Sequence, residues 1–182
     1  MLFIMNPKAG RTTLKNSLVD VLAVFCNNDY AVRTYLTKSA DDAERIVQEE
    51  GANYDVIVCA GGDGTLGNTV TGYMKSGIKV PLGYIPCGST NDFARSMDIP
   101  RETVEAAEMI VKAEPFSIDI GSLNDKNFVY VAAFGMFSDT SYATPQNMKN
   151  IFGHAAYVLQ GIKSLANVPS YKMKVTIDGD EQ

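Results

Sequence analysis

At 182 residues and 19.8 kDa the chain is long enough for one complete domain and too short for two of average size. With 46% of residues in the AVILMFWYC set and 20% charged, it has the balance of a chain that buries a core, which excludes intrinsic disorder. A net charge of -5 and a pI near 4.9 leave no broad cationic surface to neutralise phosphates, so a nucleic-acid partner is not expected.

Leu2 to Met5 is a short apolar run stopped by Asn6-Pro7-Lys8-Ala9-Gly10, too short for a signal segment or a membrane span. The expectation is a soluble, cytoplasmic protein. Leu14, Leu18, Val21, Leu22 and Phe25 then recur at helical spacing, giving strand, glycine loop and helix. Tyr30 to Leu36 reads as a second strand, and Ser39 is the expected N-cap of a helix that carries Ala43, Ile46 and Val47 and stops at Gly51. Val56 to Ala60 has the unbroken apolar character of a strand covered on both faces. It runs into Gly61-Gly62-Asp63-Gly64-Thr65 and a helix through Met74 that ends near Gly77. Leu82 to Ile85 is the fourth strand, followed by Pro86-Cys87-Gly88-Ser89-Thr90-Asn91-Asp92, a short helix, and a helix from about Glu102 to Ala113. Strands alternating with helices imply βαβ crossovers and a parallel sheet.

Beyond Pro115 the grammar changes. Phe116 to Ile120 and Phe128 to Phe134 are expected strands of an antiparallel pair, and a second domain is expected to begin near residue 120. A long helix with Met148, Ile151, Phe152, Ala155, Leu159, Ile162 and Leu165 on one stripe follows, then a strand from Tyr171 to Ile177. Asp178-Gly179 is a hairpin signal with only three residues after it, so the returning strand is expected to be missing, the chain truncated, and the bare edge a site of homo-oligomerisation. The cysteines Cys26, Cys59 and Cys87 fit neither a disulfide framework nor a CxxC pair and read as reduced thiols.

Gly61 to Thr65 sits where a parallel strand delivers the chain to a helix N-terminus, a place that favours an anion and above all phosphate. Asp63 would repel phosphate unless a cation lay between them, which makes it a candidate for orienting Mg²⁺ or a bound water. The plainer alternative is a tight strand-to-helix turn. Residues 62 to 67 satisfy G-x-G-x-x-G, yet no Asp or Glu lies between Gly64 and Asn91 to hold a ribose about 20 positions on, and no Walker A loop is present. His154, the one histidine, lies near the apolar stripe and reads as a core or interfacial residue. Asp119 alternates with Ile118 and Ile120, which a solvated strand face also explains, and Ser89, Thr90 and Asp92 also read as helix-start residues.

Asn6-Pro-x-x-Gly10, Gly61-Gly-Asp-Gly-Thr65 and Gly88-Ser-Thr-Asn-Asp-Phe93, each after its own strand, together resemble the diacylglycerol kinase catalytic-domain family of lipid kinases. The resemblance runs through Ile118-Asp119-Ile120-Gly121 and implies a Rossmann-like α/β parallel-sheet domain of the NAD kinase and phosphofructokinase type over residues 1–119. The beginning of a β-sandwich domain is then implied over 120–182. It further implies that ATP is held between the two and that its γ-phosphoryl group passes, with Mg²⁺, to a lipid hydroxyl at the membrane surface, most readily that of diacylglycerol. By motif match the nucleotide contacts fall on Asn6, Pro7, Lys8, Ala9, Gly10, Thr37, Gly62, Asp63, Gly64, Thr65, Leu66, Gly67, Asn68 and Ser89. Asp63 joins the Mg²⁺-water network, Asp119 stands near the reacting hydroxyl, and Asp92 is a substrate-side candidate. Two departures stand out: Gly67-Asn68 replaces the usual Asn-Glu, and the family's general base and remaining metal acids lie in a C-terminal half absent here, so the isolated chain is expected to be inactive. The alternatives are an NAD kinase and a non-catalytic nucleotide-sensing module. Thr140 to Ile177 holds Lys149, Lys163, Lys172 and Lys174 and no acid, a stretch expected either to be solvated beside a packed helix or to meet an anionic bilayer.

Overall fold

The computed structural model describes residues 1–9, 13–124, 126–132, 176–177 and 180–181. The chain divides into two compact units, Met1–Ala132 and Ala133–Gln182. The first is built on a four-stranded parallel sheet in the order β2-β1-β3-β4, with β1 at Leu2–Met5, β2 at Arg33–Leu36, β3 at Ile57–Gly61 and β4 at Leu82–Pro86. Helices α1 (Thr13–Cys26), α2 (Asp42–Glu50), α3 (Asp63–Ser76), α4 (Asp92–Ser96) and α5 (Thr103–Lys112) follow or separate the strands, as expected for an α/β fold.

Successive side chains of a strand point to opposite faces, and here both faces are covered. Phe3, Met5, Val58, Ala60, Ile85 and Cys87 pack with Leu14, Val21 and Phe25 of α1 and with Ala106 and Ala107 of α5. Their neighbours turn the other way: Leu2, Ile4 and Ile57 meet Ala43, Ile46 and Val47 of α2, while Cys59 and Tyr84 meet Leu66 and Val70 of α3 and Ala94 of α4. The continuous apolar runs of β1 and β3 are thus explained, since each position is buried on one face or the other. Phe3 and Phe25 add an edge-to-face contact with ring centroids 5.9 Å apart.

Three expectations need correction. Ser39 does not cap α2. The helix starts later, and the Asp42 carboxylate reaches back to accept the Lys38 and Ser39 N–H groups at 2.6 and 3.1 Å. Those bonds, Lys38's first, lower the Asp42 carboxyl to about 2. Phe116 to Ile120 is not a strand. Phe116 and Ile118 are 69% and 41% exposed, so the alternation buries neither face, and the antiparallel pair forms instead between β5 (Gly121–Leu123) and β6 (Lys126–Phe128). The two-residue connection begins with Asn124 at φ 53, the left-handed geometry that such hairpins require, and the Phe128 ring covers its register partner Gly121. In the second unit the return after Asp178-Gly179 is present, because β7 (Thr176–Ile177) pairs antiparallel with β8 (Asp180–Glu181). The returning strand expected to be missing is therefore present at these residues. The positions of the expected long helix with His154, of the rest of the expected 171–177 strand and of Lys149, Lys163, Lys172 and Lys174 lie outside the described residues.

Candidate functional site

In the order β2-β1-β3-β4 the chain leaves β1 toward one edge and β3 toward the other, so β1 and β3 are neighbours whose outgoing loops diverge to opposite faces. In an open α/β sheet such a divergence opens a crevice at the carboxyl ends of the strands, the usual place for a ligand. The first two quoted motifs are those two loops, and the third leaves β4 beside them.

Asn6 follows β1, and its carbonyl accepts the Ala9 N–H at 3.1 Å. Its N–H donates to the Ala60 carbonyl at 3.0 Å, its Oδ1 accepts the Lys8 N–H at 2.9 Å, and its Nδ2 donates to Thr65 Oγ1 at 3.1 Å. The amide thereby shapes its own loop and ties it to the turn after β3. Pro7 is half-buried, Lys8 exposed and Ala9 packed on the core; Gly10 lies outside the described residues.

After β3 the chain turns at Gly62, whose carbonyl accepts the Thr65 and Leu66 N–H groups at 2.9 and 3.1 Å and so starts α3. Gly62 lies at the N-cap with no side-chain cap, leaving the positive end of the helix dipole without a built-in anion on the cap residue. Thr65 is buried with its hydroxyl on Asn6, and Leu66 contributes its side chain to the core and only backbone to the site. Asn68 donates to the Ala40 carbonyl at 2.8 Å, which holds α3 to the loop carrying Thr37. Thr37 is itself buried, with its N–H on Met5 O at 2.9 Å.

The turns after β3 and β4 touch through their backbones. A Cβ on Gly88 would lie 2.6 Å from Gly62 Cα and 2.6 Å from Asn91 Oδ1, and a Cβ on Gly62 would lie 3.2 Å from Gly88 Cα. Packing thus explains both glycines. It does not explain Gly64 or Gly67, around which a Cβ would meet nothing within 4 Å.

Asp63 joins the same two turns by charge. Its Oδ2 accepts from the Thr90 hydroxyl at 3.2 Å and the Asp92 N–H at 3.3 Å, and its Oδ1 accepts the Phe93 N–H at 3.3 Å. The first turn of α4 is therefore capped from another motif, while its own N-cap, Asn91, has no side-chain cap bond and sits at φ 51. Asn91 closes its loop instead, accepting the Gly88 N–H at 2.7 Å and donating to the Gly88 carbonyl at 3.0 Å. Ser89 is exposed on that loop, and Asp92 is half-buried with its N–H on Asp63. Asp119 is exposed on the unpaired 114–120 segment, and no hydrogen bond or ion pair among the described residues joins it to Asp63. Sequence reasoning missed Asn91 and Tyr84. The first carried a signal, because Asn tolerates the left-handed region a tight loop needs; the second did not stand out in its apolar strand.

Cys59 and Cys87 lie under the site. Burial pushes both thiols up to about 12, with Cys59 adding to the effect on Cys87. A thiol-specific reagent at pH 8 is expected to label exposed Cys26 alone in the native chain and all three cysteines in denaturant. The two buried thiols keep their protons while those of the unfolded chain ionise near the ordinary 9.0, so stability should fall as pH rises above about 9. Fast native labelling of more than one thiol contradicts the packing described.

Among the described residues no group of three or more His, Cys, Asp or Glu is placed to ligate a metal, and no helix is long and apolar enough to cross a membrane. The family model for the diacylglycerol kinase catalytic domain matches residues 1–123. Diacylglycerol kinases of Staphylococcus aureus strains JH9 and bovine RF122 are each 35% identical over 181 residues, covering 97% of this chain and 56% of their own length. The chain thus spans little more than half of these relatives. A crystal structure of a diacylglycerol kinase from Bacillus anthracis superposes with a TM-score of 0.65 at 32% identity, covering 70% of this chain and 48% of that one. With the three motif loops gathered at the carboxyl ends of the parallel strands and the match running through all of them, the chain belongs to the diacylglycerol kinase catalytic domain family.

Proposed function

We propose that this chain is the nucleotide-binding portion of an ATP-dependent lipid kinase, with diacylglycerol as acceptor. The observation that carries the reading is the exposed Gly64 in the first turn of α3, at a helix start whose cap residue offers no side chain. Helical Gly costs about 0.5–1 kcal/mol relative to Ala, and no neighbour demands it here. A phosphate approaching the backbone does. On this reading Gly62, Gly64 and Thr65 present N–H groups and a hydroxyl to the ATP phosphates. Asn6 to Gly10, Thr37, Gly67, Asn68 and Ser89 border the nucleotide, with residues 1–119 as its domain and 120–182 the start of a β-sandwich.

Phosphoryl transfer rests on positioning and charge stabilisation, and Mg²⁺ bound with the phosphates supplies part of that charge. Asp63 fits an indirect part. An ionised carboxylate has about four acceptor sites, three of which are taken, so the remaining one on Oδ1 suits a metal-bound water and not a multidentate metal site. On this reading Asp92 and the exposed Asp119 belong to the acceptor side, near the lipid hydroxyl, and the enzyme works from the cytoplasm at the membrane surface.

The test is calorimetric. Gly64→Ala should leave the melting temperature unchanged or raise it by about 1–4 °C, since helix propensity improves and 1 kcal/mol is about 2–4 °C at this size. It should weaken Mg·ATP binding at least about tenfold, or 1.4 kcal/mol. Unchanged affinity places the phosphates elsewhere. Label from ATP appearing in phosphatidate and not in NADP separates a lipid kinase from an NAD kinase, and ATP binding without transfer to either favours a sensing module.

A further inference from the structure

Tyr84 is the one polar side chain on β4, and it is 4% exposed. Its ring packs against Phe93 with centroids 6.1 Å apart, and its hydroxyl donates to the Gly61 carbonyl at 3.1 Å while standing 3.5 Å from Asn91 Oδ1. The same carbonyl accepts the Cys87 N–H at 2.7 Å. Both lone pairs of Gly61 O are therefore held, one by the strand-end backbone and one by the phenol. A trans peptide is planar, so its C=O and the next N–H point in opposite directions. Fixing the Gly61 carbonyl fixes the direction of the Gly62 N–H, which leads into the turn that opens α3.

We propose that Tyr84 is the positioning residue of the phosphate cradle: by clamping the Gly61 carbonyl, with Asn91 holding the adjoining loop, it aims the Gly62 N–H at the nucleotide. This rests on the reading of that turn as a phosphate site. Burial first, and then the charge of Asp63, raise the pKa of the Tyr84 hydroxyl, so it remains a donor throughout the working pH range. Removing it leaves no buried acceptor bare, because Cys87 still serves Gly61. Tyr84→Phe is thus a clean variant, keeping the ring contact and losing one bond.

Isothermal titration of the chain with Mg·ATP and, in parallel, with adenosine separates the outcomes. Tyr84→Phe should weaken ATP about fivefold to tenfold and leave adenosine unchanged, a split that a loss of general packing does not produce. Asn91→Gly, which tolerates the φ of 51, should weaken ATP similarly, and the double variant should be less than the product of the two. Without nucleotide, hydrogen exchange at the Gly88 amide should quicken in Tyr84→Phe. If the wild-type chain binds ATP and Tyr84→Phe binds it equally well, the assignment is overturned while the nucleotide reading stands. If the wild-type chain binds no ATP, both fall. Equal losses for ATP and adenosine would make Tyr84 a packing residue and overturn the assignment too.

Discussion

Asp63→Ala should lower the melting temperature by about 1–8 °C and reduce phosphoryl transfer, in a form of the protein that carries it out, by about 10–100-fold. The first effect follows from geometry. The carboxylate is the cap of α4, holding the Asp92 and Phe93 N–H groups and the Thr90 hydroxyl across two motifs. Loss of a helix cap costs about 0.5–2 kcal/mol, here with two N–H donors and a hydroxyl left to find water. The second effect follows from charge, because the same group keeps a negative field beside the first turn of α3 that only a cation can reconcile with a phosphate. Asp63→Asn separates them. It keeps an acceptor for Phe93 but turns an NH₂ toward donors or loses the second acceptor, and it removes the charge entirely. A variant that recovers most of the melting temperature and none of the transfer assigns the activity to charge. Equal recovery of both would make Asp63 a structural cap and remove it from the metal-water network.

That double duty was only half legible in the sequence. The position of Gly61 to Thr65 after an apolar strand pointed to an anion site, and the acid within it pointed to a cation, but nothing in the spacing said that the carboxylate would bond a segment nearly thirty residues on. Contacts of that kind depend on β3 and β4 being neighbours, a fact of sheet order and not of local pattern. The strands and helices of the first 113 residues were readable because each buries one face at its own period, as Leu14, Val21 and Phe25 do on α1. The failures fall where burial gives no instruction. Ser39 and Asp42 compete to start α2, and the Asp42 carboxylate wins by reaching backward over two N–H groups. Phe116 and Ile118 alternate like a strand yet pair with nothing among the described residues, whereas Asn124 opens a tighter turn, so the first strand of the pair starts later and the second earlier than the apolar pattern indicates. The candidate residues Asn6, Thr65 and Asp63 stand in motifs legible in the sequence, and the hydrogen bonds that tie Asn6 to Thr65 and Asp63 to Thr90 come from tertiary placement.

The largest loss is expected from Gly88→Val, and its cause is steric and not chemical. The new Cβ would lie 2.6 Å from Gly62 Cα and 2.6 Å from Asn91 Oδ1, before either γ-methyl is counted. Neither neighbour has room to retreat. Gly62 is fixed by two N–H groups donating to its carbonyl at the start of α3, and Asn91 is closed onto Gly88 by two hydrogen bonds of its own. Forcing extra atoms into a packed contact costs about 1–3 kcal/mol, which is about 2–12 °C for a chain of this size, and the backbone contact here belongs at the upper end. The turn after β4 must therefore swing away, carrying Thr90, Asp92 and Phe93 off Asp63, so the turn proposed to hold the phosphates loses its partner and Mg·ATP binding should fall below detection in calorimetry. Set beside Gly64→Ala the ranking is diagnostic: Gly64 has open space and should lower binding without lowering stability, while Gly88 is in backbone contact and should lower both. A Gly88→Val protein that melts with the wild type and binds ATP as tightly would show that the turns after β3 and β4 do not touch as described, and the cross-motif role of Asp63 would go with that contact.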